Sequence, residues 1–331
     1  MYTAFYDLSE KPFSLTPDPR YLFLASSHRE ALAHVLYGID QGEGFIAVTG
    51  EVGTGKTTLC RALLHRLSPG TEVAYIFNPA QTGDELLRAI HAEFGLPTAG
   101  CTHHELNDQL NQFLLRMKRA GRPVLLIIDE AQNLSRDTLE EVRLLSNLET
   151  STSKLIQILL FGQPELDDML DSKEMRQLRQ RIGVRWGLGP MTATETRDYV
   201  RHRLRIAHGC DRDLFSERAL REVHRRTRGV PRLVNLLCDR ALLAGYATSS
   251  LSIESATVSQ AAREILGAHR RSRWRRVFFR SGVAAAVLIA VLGAMAWQQS
   301  AARPPWEAPT ESAAAPPPRS LESVESCREP A

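Results

Sequence analysis

Five short apolar runs punctuate the first two thirds of the chain, at residues 44–49, 72–78, 123–129, 155–161 and 184–188. Each has the length of a strand. Val124-Leu125-Leu126-Ile127-Ile128 is apolar without interruption, the pattern of a central strand covered on both faces. Between the runs, apolar residues recur at helical spacing, so the alternation predicts βαβ units and a parallel five-stranded sheet. Thr82-x-x-Glu85 and Thr192-x-x-Glu195 have the form of capping boxes and predict two helix starts. After Pro190 the strand pattern stops and three or four helical patterns continue to Leu266. That change predicts a small all-helical domain beside an α/β core.

A different pattern follows. From Ser281 to Trp297 there are seventeen residues without a charge. At 1.5 Å per residue they are marginal for a hydrocarbon core of about 30 Å, and Val277, Phe278 and Phe279 extend the stretch if Arg280 snorkels. The segment is expected to be a single transmembrane helix; a buried helix or an amphipathic end is the alternative. Arg270, Arg271, Arg273, Arg275, Arg276 and Arg280 precede it and Trp297 closes it, which orients residues 1–276 to the cytoplasmic side of an inner membrane and the tail to the periplasm. The N-terminus is polar and aromatic, unlike a cleavable signal. Residues 298–331, rich in Pro, Ala, Ser and Glu, have too little apolar content to fold alone. The expected organisation is thus an N-terminal segment at 1–40, a core at 41–190, a helical lid at 191–268, a basic juxtamembrane segment at 269–280, the span at 281–297 and the tail at 298–331.

Composition changes this picture little. The 331 residues allow about two domains, and 43% hydrophobic residues suffice for proper cores. A net charge of +3 gives no global basic field, so nucleic acid is not an expected partner. Cysteines at 60, 101, 210, 238 and 327 show no Cys-x-x-Cys or paired-histidine spacing, and His103-His104 lacks a third ligand and reads as structure.

The chemistry sits at the end of the first apolar run. Gly50-Glu51-Val52-Gly53-Thr54-Gly55-Lys56-Thr57-Thr58 is a complete Gly-x-x-x-x-Gly-Lys-Thr phosphate loop between a strand and a helical pattern. A triphosphate carries several negative charges, which such a loop cradles with backbone N–H groups while a helix N-terminus points at them. Lys56 is expected to reach the β- and γ-phosphates, and the Thr57 hydroxyl to ligate magnesium. The third apolar run ends in Asp129-Glu130. Asp129 is expected to orient the magnesium through its water shell, and Glu130 to polarise the attacking water. No Asn-Lys-x-Asp run follows, so ATP is expected rather than GTP.

These residues, with others, carry a resemblance. Met1-Tyr2-Thr3-Ala4-Phe5-Tyr6-Asp7-Leu8, Lys11-Pro12-Phe13-Ser14-Leu15-Thr16-Pro17-Asp18-Pro19-Arg20, Leu36-Tyr37-Gly38-Ile39 and Asp129-Glu130-Ala131-Gln132-Asn133-Leu134 resemble the AAA+ ATPases of the ExeA/GspA secretion type, over roughly residues 1–266. The resemblance implies a P-loop AAA+ core, ATP with Mg2+, a homo-oligomeric ring, and a membrane-anchored role in assembling an envelope export machine of secretin, pilus or exopolysaccharide type. It implies that Gln163 is sensor 1, where many wider relatives carry Asn, and that Arg232 of Gly229-Val230-Pro231-Arg232 is sensor 2. It further implies an arginine finger at Arg181, with Arg176, Arg179 and Arg185 as rivals, and an adenine framed by residues 28–31 with Pro12 and Phe13. Larger members add a periplasmic peptidoglycan-binding region; here a short tail follows the span, so no such region is expected.

Two other functions share these motifs. One is a DNA-directed ATPase resembling the TniB transposition type, which would need a basic stripe on its surface; the other is a nucleotide-gated scaffold with little hydrolysis.

Overall fold

The computed structural model describes residues 1–265, apart from residues 17, 78, 80, 81, 150–152 and 209–212. Its centre is a sheet of β1 (Phe45–Gly50), β2 (Glu72–Ile76), β3 (Val124–Ile128), β4 (Gln157–Gly162) and β5 (Ile182–Leu188). The strands run in the order β2-β3-β4-β1-β5 and every pairing is parallel. All five predicted strands are present, with shifted ends. The second stops at Ile76, where the backbone N–H of Asp129 takes its carbonyl at 2.9 Å and closes the ladder. Beyond it Phe77 is exposed, and Pro79 has no N–H with which to extend the pairing. The fourth runs to Gly162 because Val48 and Thr49 of β1 pair with Phe161 and Gly162.

Helices cover both faces of the sheet. α2 (Ser26–Asp40) and α3 (Lys56–Leu64) bury Ala31, Leu32, Val35, Leu59 and Leu63 against Ile46, Val48, Leu125, Ile127, Leu159 and Phe161. On the other face α4 (Gly83–Glu93), α5 (His103–Arg119), α6 (Arg136–Leu145) and α7 (Pro164–Leu170) pack against Phe45, Leu126, Ile128, Ile158 and Leu160. The alternation of inward side chains along each strand feeds the two layers in turn, and so the central runs read as uniformly apolar. A short α8 (Arg176–Arg179) leads into β5. Both predicted capping boxes form. A third, Thr102 with Glu105, starts α5, so His103 and His104 are first-turn residues whose contacts are Asp84 and Asp108.

Past Pro190 come α9 (Ala193–His208), α10 (Glu217–Thr227), α11 (Pro231–Ala247) and helical residues 255–265. These helices form a lid whose core contains more than residues after 190. Tyr2 of α1 (Tyr2–Phe5), Tyr6, Leu8, Phe13, Tyr21 and Ala25 are buried among Tyr199, Leu204, Phe215, Leu237 and Leu242. The N-terminal 25 residues are therefore a strap built into the lid. Specific bonds hold it: the Tyr2 hydroxyl to Asp239 at 2.5 Å, the Tyr6 hydroxyl to the Ser250 carbonyl at 3.0 Å, and Ser9 to the Ala207 carbonyl at 2.6 Å.

The predicted juxtamembrane segment, span and tail lie outside the described residues. Among the described residues no helix is long and apolar enough to cross a membrane.

Candidate functional site: a phosphate loop under a helical lid

The strand end and helix start fix the loop between them. β1 ends at Gly50, paired with Leu188 of β5, and α3 begins at Lys56 with Gly55 as its N-cap. Gly53 has φ +83° and Gly55 φ +102°, the left-handed region that glycine tolerates. Space makes the same demand, because a Cβ at Gly53 would lie 2.6 Å from Cβ of Arg232 and one at Gly55 would lie 2.6 Å from Nε2 of His28. His28 is buried and bonds the Thr54 carbonyl at 2.9 Å, while the Arg232 backbone N–H donates to the Gly53 carbonyl at 3.3 Å. The loop is thus gripped from below by α2 and from above by the first turn of α11.

Lys56 lies across this loop, donating to the carbonyls of Gly50 at 2.7 Å and Glu51 at 3.3 Å. Burial lowers its pKa, against the pull of the Glu130 and Asp129 charges. Thr54 donates its hydroxyl to the Glu51 carbonyl at 2.8 Å, so Gly50, Glu51 and Thr54 shape the loop from within. Val52, Gly53, Gly55, Lys56, Thr57 and Thr58 face a cavity of about 460 Å³.

At the neighbouring strand end, Asp129 is fully buried and engaged on both oxygens. Oδ2 accepts from the Thr57 hydroxyl at 3.3 Å and the Tyr75 hydroxyl at 3.0 Å, and Oδ1 accepts from the Glu130 backbone N–H at 2.9 Å. Burial and the Asp129 charge raise the Tyr75 phenol well above its ordinary pKa, so it remains a donor. Glu130 follows with φ +55°, a left-handed conformation that turns its carboxylate away from the strand and toward the cavity it helps line. Its Oε2 accepts two amide N–H groups, from Gln132 at 2.6 Å and Gln163 at 3.0 Å. The Gln163 backbone N–H in turn donates to Gln132 Oε1 at 3.0 Å. Burial works to raise the Glu130 pKa, but the two amides and the Lys56 charge bring it below the ordinary range. Phosphate loop, acidic pair and Gln163 therefore meet at one place.

Arg232, on the first turn of α11, lines the same cavity with Pro231 and Asn235. Arg181 does not. It precedes Ile182, which pairs with Phe45 at the start of β1, whereas the loop begins at the Gly50–Leu188 end, about 20 Å along the strand. Its guanidinium is held by the Ser146 hydroxyl at 2.9 Å and by Asn147. Among its rivals Arg185 is locked between Asp167 and Asp171, and Arg179 lies 3.8 Å from Asp171. The adenine frame is only half matched. His28 lines the cavity, but Phe13 is buried edge-on to Phe215 inside the lid, and Pro12 contributes a carbonyl to Arg203.

Beyond the loop, the cavity runs between the strap and the lid, past Ser14, Leu15, Tyr21, Leu22, Phe23, Tyr199, Arg203 and Asn235. Sequence reasoning missed most of these residues, because the strap meets α9 and α11 only after folding. Arg203 joins the two. It is buried, donates to the carbonyls of Pro12 at 2.5 Å and Ser14 at 3.2 Å and to the Tyr199 hydroxyl at 2.9 Å, and lies 4.6 Å over the Tyr21 ring. Arg203→Ala would take the donor from the buried Pro12 carbonyl and from the half-buried Ser14 carbonyl. Urea unfolding should show a loss of about 2–3 kcal/mol, and limited proteolysis should cut the strap first. An unchanged midpoint would show that Arg203 does not hold the strap. Glu195 makes a second tie, capping α9 at Thr192 and accepting from the Ser26 N–H and hydroxyl at 2.7 and 2.6 Å. Burial raises its pKa, yet these donors bring it down to about 2.

The residues present suit a nucleoside triphosphate with a divalent cation. Glycines at 53 and 55 leave the loop open where a side chain would clash, a lysine ammonium stands among backbone carbonyls, and a hydroxyl and a carboxylate lie together beside it. The fold and this site define a P-loop nucleotide-binding protein with a helical lid. Residues 39–170 match the family described as the AAA domain. General secretion pathway protein A of Aeromonas hydrophila is 46% identical over 300 residues, covering 90% of this chain and 53% of that protein. The chain is similar to the AAA+ ATPases of the general secretion pathway protein A type. It spans about half the length of that relative. An AAA ATPase forming ring-shaped complexes, from Bifidobacterium animalis subsp. lactis, is 25% identical over 194 residues, covering 55% of this chain and 35% of that protein. Drosophila ORC bound to DNA shares the fold with a TM-score of 0.59 at 18% identity, over 79% of this chain and 66% of that one.

Proposed function

We propose that this chain binds ATP with Mg2+ and hydrolyses it, and that it works as a membrane-anchored ring serving assembly of a bacterial envelope export system. The observation that carries the reading is that Lys56, Thr57 and Glu130 line one cavity, with Asp129 bonded to Thr57 and Gln163 to Glu130. Lys56 and the loop N–H groups bind the β- and γ-phosphates, and Arg232 on the lid reaches toward the γ-phosphate. Thr57 and Asp129 hold the magnesium, which supplies charge neutralisation on the phosphates when bound. Glu130 takes a proton from the attacking water, positioned by the amides of Gln132 and Gln163. Arg181, at the far end of β5, completes the site of a neighbouring subunit and neutralises transition-state charge there.

Support for the ring comes from the Bifidobacterium relative's name, and for the export role from the Aeromonas relative's. The anchor rests on the uncharged Ser281–Trp297 stretch and the arginines before it, which put the ATPase domain in the cytoplasm and residues 298–331 in the periplasm.

Lys56→Ala tests the binding step. It removes the cation that faces the phosphates and should weaken ATP binding about a hundredfold by calorimetry, with phosphate release lost in parallel. Equal ATP affinity in wild type and variant would contradict the assignment.

A further inference from the structure

Tyr75 and Ile127 are register partners on β2 and β3, and Asp129 follows two positions after Ile127 on the same face. That face packs against α3, which carries Thr57 at its first turn and Cys60 one turn on. The parallel register therefore brings a phenol, a carboxylate and a hydroxyl from three elements to one point. Asp129 is fully buried, and its Oδ2 accepts from the Tyr75 and Thr57 hydroxyls. Those two donors differ in position. Thr57 lines the nucleotide cavity, whereas Tyr75 stands behind the carboxylate and does not.

We propose that Tyr75 is a positioning residue for the cation: its hydroxyl holds the Asp129 carboxylate in the orientation in which Asp129 and Thr57 together accept a hydrated magnesium ion. The proposal rests on the reading that ATP is bound with magnesium. When Thr57 turns its oxygen toward a cation, its bond to Asp129 is strained or lost, and the Glu130 N–H reaches only Oδ1. Tyr75 is then the donor that keeps the carboxylate from rotating. It also supplies one of the few charge-assisted hydrogen bonds open to a carboxylate without access to bulk water. Removing one such bond from a buried charged group is enough to move an equilibrium about tenfold.

The test uses the full chain, wild type and Tyr75→Phe, which deletes the hydroxyl and keeps the ring that packs in the core. Binding of a fluorescent ATP analogue is measured in EDTA and then across a magnesium titration. In EDTA the two proteins should bind alike, within about twofold. In the titration, the magnesium concentration giving half of the tightening should rise about tenfold in Tyr75→Phe. An unchanged midpoint would overturn the proposal, and so would equal weakening with and without magnesium, which marks a merely structural hydroxyl. If wild type itself shows no magnesium-dependent tightening, the ATP–magnesium reading falls first and takes this proposal with it.

Discussion

Glu130→Gln should bind ATP as tightly as wild type and release phosphate roughly a thousandfold more slowly, within the range that a positioned general base contributes. The change keeps the length of the side chain and leaves an oxygen for the Gln132 and Gln163 amides, so the local geometry survives. An amide nitrogen replaces the oxygen that would take the proton. The left-handed backbone at residue 130 and the two amides are hard to explain as solvation of a strand end, since one amide would serve that purpose. Equilibrium binding and steady-state phosphate release on the same preparations separate the two effects. Turnover at the wild-type rate would remove Glu130 from the chemistry.

Arg181→Ala should lower turnover by roughly a thousandfold while leaving ATP affinity unchanged, because a finger acts on a neighbour's transition state and not on its own subunit's nucleotide. Its distance from the subunit's own loop, at the opposite end of β5, is what such a division requires. The Ser146 hydroxyl and Asn147 fix where the guanidinium sits, in the field of the Glu140 and Glu149 carboxylates. Arg185 gives a comparison. Its fork is taken by Asp167 and Asp171, so Arg185→Ala should cost stability and little turnover at equal folded protein. Mixing inactive Arg181→Ala with inactive Glu130→Gln should restore part of the activity, since mixed rings contain interfaces with one intact half from each. No recovery, or full activity in Arg181→Ala alone, would reassign the finger.

The sheet, the loop and the acidic pair were legible because each depends on local pattern. An uninterrupted apolar run can be satisfied only between two layers, and a glycine-rich loop after such a run needs positive φ at positions the spacing already names. Strand ends were read less well. The ladder stops where a neighbour's carbonyl is taken, as at Ile76, and no residue of β2 announces where β3 will end. The strap's place was hidden for a related reason: Tyr2, Tyr6 and Phe13 are apolar enough for any core, and only folding assigns them to the lid rather than to the sheet. Phe13, expected at the base, went inside with them. Tyr75 and Gln132 were missed because their roles come from register and from a turn, whereas Gln163 was found through resemblance at the end of a recognisable strand.

Phosphate release from ATP by the purified full chain, followed across protein concentration in saturating magnesium, tests the central claim most directly. Steady turnover whose specific activity rises with concentration is the expected result, since on the proposed reading each site is complete only beside a neighbour. Tight ATP binding with no phosphate release at any concentration would contradict an ATPase and leave a nucleotide-gated scaffold in its place.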